Sequence, residues 1–426
     1  MALTQKQRKQ ILNAVRQRVL KSHFNVAAVD YGEWLKVFDG RADKLLVCSP
    51  EEFETGVQEL LKLLRSSHTG FYHERPNRLF PQHTIHATLG KCKQGEQQRW
   101  FFMDIFEGGP AQLAGIRPGD MLHRVDGIEY APPDMPPFKT GTKHVLSVSA
   151  PDGTVAREIS IDVPSRKGNK NLPPILPPKS ISASIIAPGT GLLRIAWFPG
   201  AMGLGFAKSL DAALAGLKQQ GCDRLVIDLR GNIGGGLGFA RLASYLCSGR
   251  VPIGYSLTPK RQRGGYRREE LEHVVYPDSR LGFAVTLARF SIRDKSIFLL
   301  TQGLGLQPFH GKIAILVNEW TNSAAEMATA FAAGNKLATI VGTKTAGNVL
   351  GAANVKVGSG YWLRLPVFGW YTPEGKCIEG DGITPDVWAE VHPEELSAGT
   401  DTQLNTALDL LKPVTASANA ASATGM

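Results

Sequence analysis

The 426-residue chain has few cysteines and no long apolar run. Its five cysteines are scattered and form no Cys-x-x-Cys pair, which argues against a disulfide framework or a zinc site and favours reduced thiols. His83 and His86 lack the partner motif of a metal site and are interpreted as structural. No run reaches the roughly 18 apolar residues that span a bilayer, and the first twelve residues lack the apolar segment of a secretory signal. We therefore expect a cytoplasmic protein with no membrane span, metal or other cofactor.

The composition is otherwise that of a folded globular protein. A hydrophobic content of 43% is ordinary, and the length predicts two or three domains. The formal charge of +10 can attract acidic partners but does not identify nucleic acid. One basic stretch, residues 258–269, superficially resembles an RGG-type nucleic-acid segment. A solvated loop or lid is the favoured interpretation, and we expect no nucleic-acid partner.

Hydrophobic periodicity divides the chain into five parts. Helical spacing predicts a helical N-terminal region over 1–80, and strands with turn signals predict a small β domain over 84–164. A basic, proline-rich linker follows at 165–180. Strands alternate with helices over 181–412, which predicts an α/β core with a partly parallel sheet. Small polar residues predict a disordered tail at 413–426.

Ser323 follows an apolar run and precedes an alanine-rich segment. This order predicts a buried strand, a tight turn and a helix with Ser323 in its first turn. Backbone N–H groups and the helix dipole can stabilise an oxyanion there, so Ser323 is a candidate nucleophile. Locally, the alternative that Asn322 or Ser323 only caps the helix stays open.

A glycine-rich loop, Asp228-Leu-Arg-Gly-Asn-Ile-Gly-Gly-Gly, follows another predicted strand. Ligands of open α/β sheets bind at such carboxyl ends of strands. Because glycine has no Cβ, the N–H groups of Gly234 or Gly235 can approach a substrate carbonyl closely. Ala324 would supply the other oxyanion donor. A phosphate loop is disfavoured, since no Gly-Lys-Ser/Thr follows.

The β domain carries the pattern G-P-A-x-x-A-G-I-x-P-G-D-x-L-x-x-V-D-G at residues 109–127. This pattern resembles the PDZ domains of bacterial proteases. The resemblance implies binding of extended peptides, often C-termini, by addition of a strand. It also implies a carboxylate-binding loop near Thr88, Leu89 and Gly90. A small β domain without a ligand is the alternative.

Taken together, residues 66–390 resemble the C-terminal processing peptidases and their relatives, including the tricorn protease core. The resemblance is carried by several motifs in order: Ser-His-Thr-Gly, the PDZ pattern, Asp-Leu-Arg-Gly-Asn-x-Gly-Gly, Asn-Ser-Ala-Ala-Glu, Val-Gly-Thr-Lys-Thr-Ala-Gly and Gly-Asp-Gly-Ile-Thr-Pro-Asp. It implies an α/β fold with a crotonase-like ββα spiral as the protease core, an inserted PDZ-like domain and a helical N-terminal region.

The general base distinguishes two branches of this family. The Ser/Lys branch has a lysine 25 positions after the serine, where this chain has Asn348; Lys344 is nearby but misplaced in the motif. The tricorn-like branch uses a histidine from a Ser-His segment before the PDZ domain and a glutamate before a Gly-Ile-x-Pro-Asp motif. The resemblance therefore assigns His68 as general base and acid, Glu379 as its orienting carboxylate and Ser67 as a bridge.

We accordingly expect a serine endopeptidase that acts on peptides or protein tails through an acyl-enzyme, with substrate recognition by the PDZ-like domain. The alternative is a proteolytically inactive relative that serves as a scaffold or apolar-ligand carrier. The sequence leaves open the physiological substrate and the oligomeric state, a homo-oligomer included.

Overall fold

A computed structural model describes residues 3–73, 81–153, 155–165, 178–200, 203–277, 279–292, 294, 296–304, 309 and 312–412. Most of the predicted linker and all of the predicted tail lie outside these residues. None of the described helices is long and apolar enough to cross a membrane.

The N-terminal region is helical, as the periodicity predicts. Side chains of Thr4, Asp30 and Ser49 accept hydrogen bonds from the first turns of its three helices, which fixes where each begins. These helices and the strand that follows are α1 (Gln5–Ser22), α2 (Tyr31–Val47), α3 (Pro50–Lys62) and β1 (Gly70–His73).

An antiparallel β domain follows. Its elements are α4 (Pro81–Thr84), β2 (Ala87–Gln94), β3 (Gln97–Ile105), α5 (Pro110–Leu113), β4 (Met121–Val125), β5 (Ile128–Glu129), β6 (Thr142–Ser149) and β7 (Arg157–Val163). The sheet order is β2-β3-β4-β6-β7, and β5 pairs with β4. Trp100, Phe102 and Leu122 are buried at the centre of its core. The short helix α5 lies within the pattern at 109–127, and β6 and β7 form a hairpin around Asp152.

Strands and helices alternate in the rest of the chain. The elements are β8 (Ile181–Ala187), β9 (Thr190–Ile195), α6 (Leu204–Gln219), β10 (Arg224–Asp228), α7 (Gly238–Leu246), β11 (Pro252–Leu257), α8 (Pro259–Gly264), β12 (Glu272–Val275), α9 (Arg280–Ile292), β13 (Ile297–Leu300), β14 (Ile313–Val317), α10 (Ala324–Gly334), β15 (Thr339–Gly342), β16 (Gly351–Gly358), β17 (Tyr361–Tyr371), β18 (Val387–Trp388), α11 (Pro393–Ser397) and α12 (Thr402–Leu410).

Two sheets are built from this segment. One has the order β18-β15-β14-β10-β9-β8, with every neighbouring pair parallel except β8 with β9. The partly parallel sheet is therefore confirmed. Helices α6, α7 and α10 cover one face through the largest apolar cluster of the described residues, and α12 covers the other.

The other sheet has the order β1-β17-β11-β13-β12, and β16 pairs with β17. Its β1 comes from the N-terminal region and pairs antiparallel with β17, almost 300 residues later in the chain. Helices α1 and α3 pack on this sheet around Ile11, Phe53, Phe71 and Leu363. This pairing brings the Ser-His segment that precedes β1 into the core.

The basic residues 258–269, expected to form a solvated loop or lid, lie between two strands, β11 and β12. Both are strands of this second sheet, because alternating apolar residues such as Ile253, Tyr255 and Leu257 are buried there. The basic residues 258–269 form α8 and a short 3-10 helix between the two strands, and most of them are exposed.

Candidate active site

Ser323 lies directly before α10, at the end of the loop that leaves β14. Its backbone has φ +56°, a region that a non-glycine residue seldom adopts and that often marks functional sites. Ala324 and Ala325 behind it are buried, while Ser323 itself is half-buried. The predicted strand, turn and helix are confirmed, and the serine is presented at a sharp turn at the helix N-terminus.

The glycine-rich loop after β10 packs against this serine. Asn322 N–H donates to the carbonyl of Asn232 at 2.9 Å, which ties the two loops together. A Cβ placed on Gly234 would lie 2.6 Å from Ser323 Cβ and 3.2 Å from Ser323 Oγ. Only glycine permits this approach, and its φ of +77° is also a conformation that favours glycine.

The three predicted oxyanion donors are not equivalent. Gly234 N–H donates to Asn232 Oδ1 at 2.8 Å and is therefore engaged. The N–H groups of Gly235 and Ala324 donate to no acceptor within the described part of the chain. Two of the three groups are thus available to a substrate oxygen.

Ser67 and His68 lie close to Glu379, which comes more than 300 residues later in the sequence. Ser67 Oγ lies 2.8 Å from His68 Nδ1 and donates to Glu379 Oε2 at 3.0 Å. Ser67 N–H donates to Glu379 Oε1 at 2.7 Å, and Val349 N–H donates to Oε2 at 2.9 Å. The carboxylate is held by three donors, so it fixes both Ser67 and the turn that carries His68.

These contacts determine the tautomer of His68. The single hydroxyl hydrogen of Ser67 is directed to Glu379, whose ionised carboxylate can only accept. Ser67 Oγ must therefore accept from His68, which places the proton on Nδ1 and leaves a lone pair on Nε2. An unprotonated Nε2 is what a general base requires.

Burial, and secondarily the positive charge of Arg364, lower the pKa of His68 to about 4. The imidazole is consequently neutral near pH 7. No hydrogen bond joins His68 to Ser323 among the described residues, so the structure does not bring the candidate base and the candidate nucleophile into direct contact. They are linked indirectly. Glu379 accepts from Val349 N–H, and the side chain of the preceding residue, Asn348, donates to Asn322, which lies next to Ser323 in the chain.

Asn348 occupies the position at which the Ser/Lys branch has its lysine. Its Nδ2 donates to Asn322 Oδ1 at 2.7 Å, directly beside the nucleophile. Lys344, the alternative base, is exposed four residues earlier in the chain. The side chain at position 348 is therefore an amide that lies next to Asn322, the residue before Ser323.

Glu326 is a residue of the site that the sequence interpretation missed. Its buried carboxylate accepts hydrogen bonds from Ser323 N–H, Thr345 Oγ1, Gly347 N–H and Asn348 N–H at 2.6–3.0 Å. Burial raises its pKa, and these hydrogen bonds oppose that shift. The signal was present as Ser-x-x-Glu, the spacing of a capping box.

The predicted carboxylate-binding loop is not a loop. Thr88, Leu89 and Gly90 lie on strand β2 and are buried. Thr88 Oγ1 donates to Asp104 Oδ2 at 2.6 Å, and Leu89 O accepts from Trp320 Nε1 at 3.0 Å. The location of that loop is therefore corrected, because these residues contact their own sheet and the core.

Comparisons with known proteins agree with the motifs. Residues 189–389 match peptidase family S41. The carboxyl-terminal-processing proteases of Synechocystis sp. and Picosynechococcus sp. are 25% and 28% identical, over 71% of this chain and 63% and 64% of their own lengths. The chain thus spans less than two thirds of these curated relatives.

A solved photosystem II D1 C-terminal processing protease superposes with a TM-score of 0.55 at 17% identity, covering 95% of this chain and 97% of that one. This likeness shows a shared mixed α/β fold. The resemblance inferred from the motifs is confirmed over the core of this chain, since residues 189–389 match the model of peptidase family S41.

Proposed function

We propose that the chain is a serine peptidase that cleaves peptide bonds through an acyl-enzyme on Ser323, with His68, Ser67 and Glu379 as its base system. The observation that carries the proposal is the position of Ser67, whose Oγ contacts both His68 Nδ1 at 2.8 Å and Glu379 Oε2 at 3.0 Å. This arrangement orients an imidazole and stabilises its protonated form, the role of the third group in a catalytic triad.

The chemistry follows from these positions. Ser323 Oγ attacks the peptide carbonyl carbon and its proton passes to His68 Nε2. The carbonyl oxygen becomes an oxyanion that accepts from the N–H groups of Gly235 and Ala324. Collapse breaks the C–N bond, and His68 returns the proton to the leaving amine. His68 then deprotonates a water that hydrolyses the ester and releases Ser323. We expect a shorter distance between His68 and Ser323 in the substrate-bound enzyme, since catalytic hydrogen bonds tighten there.

The β domain is proposed to be PDZ-like and to recruit substrate tails or gate the site, and the core to be a crotonase-like spiral. The sequence pattern at 109–127 supports the first assignment. Asp104 of β3 accepts from Asn318 Nδ2 at 3.1 Å, and Asn318 Oδ1 accepts from Gly231 N–H at 3.0 Å. Through these hydrogen bonds, a substrate tail bound to the β domain could change the position of the glycine-rich loop that carries the proposed oxyanion donors.

Labelling with a fluorophosphonate probe tests the proposal. The probe should modify Ser323, and Ser323→Ala should abolish labelling and peptide cleavage, whereas Ser209→Ala, at an exposed serine of α6, should change neither. His68→Ala should also abolish labelling. Labelling that survives His68→Ala but is lost in Lys344→Ala would refute the histidine assignment and favour a Ser/Lys enzyme.

The second candidate, a proteolytically inactive binding protein, draws only on the loss of lysine at position 348. The chain keeps Ser323, His68 and Glu379, and Glu379 binds both the turn that carries His68 and the loop at Val349, which does not favour an inactive protein. It predicts peptide binding with intact peptide recovered after long incubation.

A further inference from the structure

Helix α1 exposes charge of one sign only. Its apolar stripe packs on the second sheet around Ile11, and Lys6, Lys9 and Lys21 are exposed on the opposite side of the helix. The helix contains no aspartate or glutamate, whereas α2 and α3 carry both signs of charge, as solvated helix faces usually do. The charge on α1 therefore exceeds what is needed to keep one helix face in water.

The basic residues 258–269 lie beside the end of α1. Gln262 Nε2 donates to the carbonyl of Asn25 at 3.0 Å, although the two residues are 237 positions apart in the chain. Phe24, just after α1, packs in one apolar cluster with Leu257 and Leu271, which flank the basic residues on both sides. The fold thus joins two cationic segments that are far apart in the sequence.

Most of these cations are not neutralised by a carboxylate. Arg267 and Arg268 bind Glu270 and Glu269. The three cations of α8 and the three exposed lysines of α1 form no ion pair within the described part of the chain. We call this set the cationic surface: Lys6, Lys9, Lys21, Lys260, Arg261 and Arg263. Because like charges gathered at one place repel one another, a bound anionic partner would stabilise them.

The extent and composition of the cationic surface fit a bilayer that contains anionic lipids. The 18 residues of α1 extend over about 27 Å, with the lysines along an exposed helix face. Single-stranded nucleic acid is usually bound by several aromatic rings that stack on its bases, but Tyr266 is the only aromatic residue of α1 and residues 258–269. An anionic bilayer needs only a broad array of cations, and each cation near it strengthens binding about fivefold.

We propose that the cationic surface docks the protein on membranes that contain anionic phospholipids. The contact is peripheral, because the apolar stripe of α1 stays in the core and leaves only polar and charged side chains for the lipid headgroups. None of the six cations belongs to the candidate active site, so the inference does not rest on the proposed peptidase activity. For a peptidase, docking would favour substrate tails that emerge at the bilayer surface.

Co-sedimentation of the full chain with large vesicles tests the proposal. The vesicles consist of phosphatidylcholine alone or of phosphatidylcholine mixed with phosphatidylglycerol, so that the two kinds differ in surface charge. The protein should bind only the anionic vesicles, and binding should weaken as salt is added, because salt screens the charges. Equal binding to both kinds of vesicle, or binding to neither, would overturn the proposal.

Charge-neutralising variants locate the contact. One variant replaces the three cations of α8 by glutamine, and a second replaces the three exposed lysines of α1. Each should bind anionic vesicles at least about tenfold more weakly than the wild type, because three cations near the headgroups are lost. Loss of binding in only one of the two variants would refute a surface built jointly from α1 and α8.

A third variant controls for net charge. It combines Lys93→Gln, Lys208→Gln and Lys218→Gln, at exposed lysines of β2 and α6, and removes as much charge as either of the others. It should bind as the wild type does, and all three variants should unfold at the same urea concentration as the wild type. An equal loss of binding in the control would show that only the overall charge matters.

Other anionic partners are distinguished by affinity. Fluorescence anisotropy measures binding of a labelled single-stranded oligonucleotide, its duplex and a polyglutamate peptide at the salt concentration used for the vesicles. Weaker binding of all three than of anionic vesicles supports the lipid surface. Tighter binding of any one of them, lost in the α8 variant, would assign the cationic surface to that partner and overturn the lipid proposal.

Discussion

Glu326 joins the start of α10, where the proposed nucleophile Ser323 lies, to the loop at residues 345–348. Its carboxylate is fully buried and accepts from Ser323 N–H on one side and from the backbone of Gly347 and Asn348 on the other. A buried carboxylate is costly unless its oxygens are satisfied, and here both are. The residue therefore fixes the loop around Asn348 against the start of α10.

Replacement of Glu326 by alanine should strongly destabilise the protein. It leaves several buried donors without acceptors, and we expect a loss of at least about 3 kcal/mol in the free energy of unfolding, measured by urea denaturation. Glu52 offers a matched control, because it has the same capping-box position on the exposed start of α3. Glu52→Ala should lower the free energy of unfolding much less, because water can replace the hydrogen bond of an exposed capping residue. Similar losses for the two variants would contradict the role given to Glu326.

At the scale of elements, the turn at 66–69 is fastened from two sides. Ser67 binds Glu379, while Ser66 Oγ contacts His23 Nε2 at 2.9 Å and Thr69 Oγ1 at 2.9 Å. His23 follows the end of α1, so the N-terminal helices help to hold the turn. The turn needs this support because His68 has φ +59°, which is unfavourable for a non-glycine residue.

Replacement of Ser67 by alanine should remove the hydroxyl bridge between His68 and Glu379, while the backbone N–H of residue 67 can still donate to Glu379. We expect kcat to fall by about 10²- to 10⁴-fold, the usual worth of general acid–base catalysis, with a smaller change in KM. Steady-state kinetics on a cleaved peptide measures both. Ser66→Ala is the neighbouring control and should reduce kcat much less, since Glu379 still holds Ser67. Equal activity of Ser67→Ala and the wild type would exclude the bridging role.

At the scale of the whole molecule, His23, His68 and His83 make stability sensitive to acid. Burial lowers the pKa of His23, His68 and His83 to about 4 in each case. In the unfolded chain these groups have pKa values near 6.5, so between pH 6.5 and 4 the unfolded state binds more protons than the folded state. Stability should therefore fall as the pH falls through this window.

The contribution of His23 to this acid sensitivity can be measured separately. Its side chain is only 2% exposed, so its shifted pKa is little screened by solvent. Its shift corresponds to about 3 kcal/mol lost by pH 4, and to about 2 kcal/mol at pH 5. His23→Gln keeps a hydrogen-bonding side chain but cannot titrate, so its unfolding free energy should change less between pH 7 and pH 5 than that of the wild type. Urea denaturation at several pH values measures the difference. Parallel pH dependences for the two proteins would contradict the prediction.

The sequence predicts most elements of this fold because their signals are local. Capped helices at the N-terminus, the strand and helix around Ser323, and the glycine-rich loop all follow from periodicity and turn residues. The basic stretch at 258–269 was expected to be a solvated loop or lid, and the short helix α8 within it was not expected, because its charged residues carry no apolar periodicity. Thr88, Leu89 and Gly90 were expected in a loop only because of the resemblance to PDZ domains. Nothing in the residues themselves predicted a loop there, and the structure places them on β2.

The sequence by itself pointed to the family resemblance, the candidate nucleophile and the residues proposed as its base, because each belongs to a short motif and the motifs follow one another in the family's order. Only the tertiary structure decided which of these groups meet. Pairing of β1 with β17 brings the His68 turn to Glu379. Hydrogen bonds and charge compensation between residues some 300 positions apart leave no periodic pattern in the chain, so contact between them is fixed by packing alone.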